Sequence, residues 1–248
     1  MKRDYLILAA ATVIFMMFLG WWRFSHEGWY RTDSNLGQRP NTPTQPLDFS
    51  GDQQNFPKHV PSPPVSSSGE NLNKPFLGHF PYKEADANNL IIVASYAMGE
   101  YQRFEELDAE AAKALMKLIY AARDEGVWII PVSAFRSIER QKLLFDNQVE
   151  RRGSVEEAAK ISAPPGYSEH HTGLALDLAD GKFPKLDIKE EFENTEAFRW
   201  LQLHGKEYGF EMSFPALNPQ GVIYEPWHWR FVGSPHAEAI FALARKSG

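Results

Sequence analysis

The sequence predicts an α+β fold: a single domain with a small central antiparallel sheet flanked by helices, after an N-terminal membrane helix and a disordered tether. Three observations predict it. From about Phe76 onward, amphipathic helical patterns and short apolar strands are interleaved without a regular βαβ repeat. A stretch rich in Pro, Ser, Asn, Gln and Gly separates that region from the N-terminus. The N-terminus itself opens on a long uncharged apolar segment. The division that follows is 1–31, 32–75 and 76–248.

Tyr5 to Trp22 carries no charge and is preceded by Lys2 and Arg3, which fits a signal peptide or a membrane-spanning anchor. The run exceeds a usual signal-peptide core, no small-x-small cleavage site follows it, and Trp21, Trp22 and Arg23 have the character of an interfacial belt. The expectation is an uncleaved single-pass anchor in the cytoplasmic membrane, with the folded domain extracytoplasmic; a cleaved signal is the alternative. Residues 32–75, with RPNTPTQP and HVPSPPVSSSGE, bury too little apolar surface to fold and read as an extended tether.

Within 76–248, Asp108 to Glu125 places Leu115, Leu118, Ile119 and Ala122 on one helical face and stops at Gly126. Val127 to Val132 reads as a buried strand that leads into Ser133-Ala134-Phe135-Arg136-Ser137. Ser137 is an N-cap for a helix to about Arg152, and Ser154 with Glu157 forms a capping box for a shorter one. The loop Ala163 to Tyr167 delivers Ser168 and His170. Leu174, Leu176 and Leu178 then alternate with Ala175, Asp177 and Ala179, a strand with leucines toward the core. Asn194 or Thr195 starts a helix that Gly209 ends, Val222 to Val232 reads as a strand, and Ser234-Pro235 opens the last helix.

Composition narrows the function. The chain is 43% hydrophobic and 23% charged, which is globular, and its net charge of −6 comes without a basic stripe that could neutralise phosphates, so nucleic acid is excluded as a partner. The absence of cysteine excludes a disulfide scaffold and a Cys-based zinc finger.

Chemistry concentrates in Ser168-Glu169-His170-His171-Thr172-Gly173-Leu174-Ala175-Leu176-Asp177 and in Glu225-Pro226-Trp227-His228. Two imidazoles and two carboxylates, set on a loop and on strands, match a catalytic zinc ion with one carboxylate left free as a base. His170 and Asp177 are too far apart for a helical pair, but a loop imidazole can sit above a strand carboxylate. His228 comes from another strand, and Glu225 lies three residues before it. Spacing alone leaves open whether His170 or His171 binds the metal. Any one of these residues alone reads as structural; together, set among Gly173, Ala175, Pro226 and Trp227, they read as a metal-dependent peptidase. His79, His204 and His236 read as packing or surface residues.

Ser168-x-His170-x-x-Gly173-x-Ala175-x-Asp177 and Glu225-Pro226-Trp227-His228 resemble the paired signatures of the VanY-type D-alanyl-D-alanine carboxypeptidases. That zinc peptidase group also holds LD-carboxypeptidases and some phage endolysins. Ser133-Ala134-Phe135-Arg136-Ser137, with Gln141 downstream, resembles the third block of the same family. The resemblance implies Zn2+ held by His170, Asp177 and His228, with Glu225 as catalytic base and His171 beside the ligands or in the pocket. It implies Arg136 facing the substrate carbonyl, and Ser168, Gln141 and His171 as substrate-binding positions. The implied activity is removal of the terminal D-Ala from peptidoglycan stem peptides. An LD-carboxypeptidase, a peptidoglycan endopeptidase and a non-catalytic peptidoglycan-binding module are the alternatives.

Overall fold

The computed structural model describes residues 74–96 and 102–246. Their order is β1 (Leu90–Tyr96), β2 (Arg103–Asp108), α1 (Ala109–Asp124), β3 (Ile129–Ser133), α2 (Ile138–Arg152), α3 (Val155–Ala159), β4 (Ala175–Asp180), α4 (Glu196–His204), β5 (Phe210–Met212), β6 (His228–Phe231) and α5 (Pro235–Lys246). Two antiparallel sheets, where one was expected, give the α+β architecture: a hairpin of β1 and β2, and a four-stranded sheet in the order β3-β4-β6-β5.

The predicted membrane anchor and nearly all of the predicted tether lie outside the described residues. Among the described residues no helix is long and apolar enough to cross a membrane. The longest, α1, has 16 residues and buries only one face, through Ala111, Leu115 and Leu118. Among those residues the expected single-pass topology, the membrane as a partner and the localisation built on them find no support, and the expectation is corrected to that extent.

Local sequence explains most boundaries. The Asp108, Ser137, Ser154 and Thr195 side chains each accept a backbone N–H in the first turn of the helix that follows. The Ser234 hydroxyl accepts from Ala237 N at the start of α5. α2 closes on Gly153 at φ 82°, the left-handed conformation that favours glycine.

The predicted strand over Val222–Val232 shrinks to β6. Before it, the backbone N–H groups turn elsewhere: Ile223 N to Lys160 O, Glu225 N to Phe214 O, and Pro226 has none to give. The expected strand over Val127–Val132 starts at Ile129, and Trp128 is 57% exposed. The hairpin of β1 and β2 was not anticipated. Its second strand is mostly charged, and the Glu105 side chain is buried because its carboxylate accepts from Ala134 N and from Arg103.

All six residues of β4 are buried. Leu176 and Leu178 join Leu115 and Leu118 of α1 and Phe241 of α5 in the main core. Each such side chain contributes about 1.5–3 kcal/mol by leaving water. The alternation of β4 turns Asp177, between Ala175 and Ala179, to the opposite face. Packing of the leucines therefore fixes the carboxylate.

Candidate active site

Strand register brings the groups together. In the sheet Asp177 stands opposite His228 of β6 on one side and Ser133 of β3 on the other. His170 comes from a 3-10 turn, Glu169–Thr172, that ends on Gly173 at φ 67°. A Cβ there would lie 2.9 Å from Leu90 Cδ2 and 3.1 Å from Asp108 N, so the turn needs glycine for conformation and for space.

One donor atom from each of His170, Asp177 and His228 falls within 4.8 Å of the others, and all three residues are buried. Asp177 Oδ1 lies 3.5 Å from His170 Nε2 and 3.2 Å from His228 Nδ1. Ligand atoms about 2.1 Å from a tetrahedral ion are themselves about 3.4 Å apart, so the set fits zinc. His170 Nδ1 donates to Ala134 O at 2.7 Å, which leaves Nε2 facing Asp177. Burial and the nearby Arg136 push His170 down to about 4, so it is neutral. Burial opposes a charge on His228, but its bonds to Asp177 and Glu169 push it up to about 10, so a metal at Nδ1 must displace a proton. Burial also works against Asp177, yet His170 and His228 hold it well below the usual carboxylate range.

Glu225 is 9% exposed, with Oε2 3.9 Å from His228 Nδ1. Burial pushes it up to about 8, with His228 opposing and Asp177 and Glu169 reinforcing the rise. A divalent cation at the triad would favour its ionised form. Arg136 Nη2 lies 3.9 Å from Asp177 Oδ2 and donates to Ser133 Oγ at 2.9 Å. Burial lowers its pKa, and Asp177 offsets part of that.

A cleft of about 400 Å³ exposes the triad together with Glu225, Arg136 and Ser168. Gln141 and His171, expected to bind substrate, are not part of its lining. Gln141 is fully buried: Oε1 accepts from Arg136 Nη1, and Nε2 donates to Ser162 Oγ and Ala163 O. His171 donates from Nδ1 to Arg136 O at 2.6 Å and accepts at Nε2 from Gly166 N at 3.1 Å, which requires a neutral ring. Both tie the Ala163–Tyr167 loop to the segment carrying Arg136. His79 is buried against Ala159 O, and His236 lies outside the site, bonded to Glu110.

Sequence reasoning passed over Glu169 and Arg230. Glu169 is 4% exposed and touches His228, Ser213, Tyr82 and Arg230. Burial works against its charge, but Arg230 and His228 hold it well below the usual carboxylate range. Arg230 in turn pairs with Glu211 at 2.8 Å. A signal was present: Glu169 adjoins His170, and Arg230 stands one strand repeat beyond His228.

A model of the VanY D-alanyl-D-alanine carboxypeptidase family matches residues 104–234, more than half of the chain, and this span holds the triad, Glu225, Arg136 and Ser168. The chain belongs to the VanY family. It is 32% identical over 219 residues to YodJ of Bacillus subtilis (strain 168), a proposed carboxypeptidase, covering 85% of this chain and 78% of that one. A D-alanyl-D-alanine carboxypeptidase of Enterococcus faecalis (strain ATCC 700802 / V583) is 34% identical over 148 residues, 55% of this chain and 52% of the relative. A solved structure of the LdcB LD-carboxypeptidase superposes with TM-score 0.57 at 32% identity, over 68% of this chain and 80% of that one. With its His/His/Asp triad, this VanY-family protein is a metallopeptidase and zinc is its cofactor.

Proposed function

We propose that residues 76–248 form a carboxypeptidase domain that removes the terminal D-Ala from peptidoglycan stem peptides, with Glu225 as the catalytic base. The observation that carries this reading is a free buried carboxylate, Glu225, 3.9 Å from His228 Nδ1 and in the same cleft as Arg136. A purely structural zinc site needs no spare base, which argues against a binding module.

When bound by His170, Asp177 and His228, zinc supplies Lewis acidity that polarises the scissile carbonyl and acidifies water. Glu225 takes a proton from the attacking water and returns it to the amine of the leaving D-alanine, so water adds across the cleaved C–N bond. Arg136, held by Ser133 and Gln141, donates to the oxygen on which negative charge develops. Ser168, buried at the cleft wall, binds the peptide.

A second reading is favoured by one observation, the likeness to an LD-carboxypeptidase structure at 32% identity. In that case the substrate ends in a single D-Ala attached to an L-centre. Zinc-loaded and EDTA-treated protein incubated with pentapeptide and tetrapeptide stem peptides, products read by mass, separates the two. Metal-dependent loss of one alanine from the pentapeptide is the expected result; loss from the tetrapeptide alone selects the LD reading. Cleavage of neither by zinc-bound, folded protein rejects both.

A further inference from the structure

The two histidines of the triad present opposite ring nitrogens to Asp177. His170 comes in from a turn and reaches with Nε2 because Nδ1 is held by Ala134 O. His228 stands directly across the β4–β6 ladder from Asp177. Cross-strand partners have Cβ atoms only about 5 Å apart, so the near nitrogen, Nδ1, is the one that can share an ion with Asp177. That choice works only if Nε2 carries the hydrogen and points away. Nε2 lies 3.0 Å from Glu169 Oε2, and an ionised carboxylate can only accept.

Every other contact of Glu169 serves to keep it in that place. The Ser213 hydroxyl donates to Oε2 at 2.5 Å, Arg230 Nη1 donates to Oε1 at 2.8 Å, and the Tyr82 hydroxyl stands 3.5 Å from Oε1. Arg230 is anchored from behind, with Nε and Nη2 each 2.8 Å from Glu211 Oε1. A carboxylate this deeply buried needs the cation beside it to stay charged. We infer that Glu169 is a positioning residue for the metal: with Arg230 behind it, it fixes His228 as a ligand through Nδ1, opposite in hand to His170. Such a carboxylate sets the ring orientation and makes the ligating nitrogen more basic. The inference rests on the zinc reading of the site and is independent of which peptide is cleaved.

The test uses the full chain. Zinc affinity is measured by chelator competition, and nitrogen–proton correlation spectra of the zinc-loaded protein report which nitrogen of His228 keeps its hydrogen. Wild type is expected to show hydrogen on Nε2 and zinc on Nδ1. Glu169→Ala should weaken zinc about 10–100-fold. Glu169→Gln should fall between, because its amide oxygen still accepts from Nε2 but without charge. Glu211→Gln, one step further out, should stay within about twofold. Zinc on Nε2 of His228 in wild type, or Glu169→Ala binding zinc as wild type does, overturns the inference. If Glu169→Ala fails to fold, the wild-type spectrum decides alone. A normal spectrum with no peptide cleaved sinks only the proposed function; wild type that binds no zinc sinks both.

Discussion

Gln141 accepts a hydrogen bond from Arg136 Nη1 at 2.9 Å while its own amide donates to Ser162 Oγ at 3.0 Å and Ala163 O at 2.7 Å. The fully buried amide thus links the arginine of the cleft to the loop that leads to Ser168. Gln141→Leu keeps the volume and removes all three bonds. Losing an oxyanion donor outright costs roughly 3–4 kcal/mol. A donor that is present but no longer held should cost less, and kcat should fall about tenfold with zinc content unchanged. Stability should drop by about 1–3 kcal/mol for the partners left unsatisfied. Steady-state kinetics and zinc analysis on one preparation check this; unchanged kcat refutes the positioning role.

Gly173 closes the turn that delivers His170, and its N–H returns to His170 O at 3.3 Å. Gly173→Ala adds a Cβ at φ 67° against Leu90 Cδ2 and Asp108 N. A left-handed non-glycine residue costs about 1–3 kcal/mol before any clash is counted. The midpoint of thermal unfolding should fall by several degrees, and zinc should bind more weakly because the strain sits under a ligand. Calorimetry with and without zinc reads both effects, and a variant as stable as wild type would falsify the packing argument.

Zinc binds only the folded arrangement of His170, Asp177 and His228, so it stabilises by mass action. Free zinc at a hundred times its Kd adds about 2.7 kcal/mol. Chelation should therefore lower the midpoint of wild type. In Asp177→Asn that zinc-dependent difference should shrink or vanish, because the shared carboxylate is lost. Equal zinc dependence in the two proteins would mean that the ion sits elsewhere.

Much of this site was legible in the sequence because the groups lie in two short segments whose turn and strand chemistry is local. Gly173 and the leucine alternation predict where Asp177 faces, and Ser137 and Ser154 mark helix starts that the structure reproduces. Three things were missed. Gln141, expected to bind substrate, becomes interior only through the docking of Ser162–Ala163 on α2. Glu169 looks like an exposed charge until Arg230, sixty-one residues away, arrives to compensate it. β2 reads as polar chain because Glu105 is buried by a partner that lies in the segment after β3. Each miss is a polar group made interior by a long-range partner, which periodicity does not record.

Glu225 should leave a signature in stability as well as in rate. Burial raises its folded pKa to about 8, whereas an unfolded glutamate titrates near 4.3. Between those values the folded chain holds a proton that the unfolded chain has released. Stability from this group is therefore fully present below about pH 4.3 and is lost as pH rises through about 8. Gln at this position is neutral at every pH and escapes the loss. In EDTA-treated protein, Glu225→Gln should match wild type at about pH 4.5 and become the more stable of the two by a few kcal/mol at pH 8, with no further change above about pH 9. With zinc bound, the cation favours the carboxylate, so the advantage should shrink while peptide hydrolysis falls by a factor of about 10³ or more. Denaturant titrations of both proteins at several pH values, each with zinc and with EDTA, read this directly. An advantage that is independent of pH would mean that Glu225 is already ionised in the folded protein, and the raised pKa would be wrong.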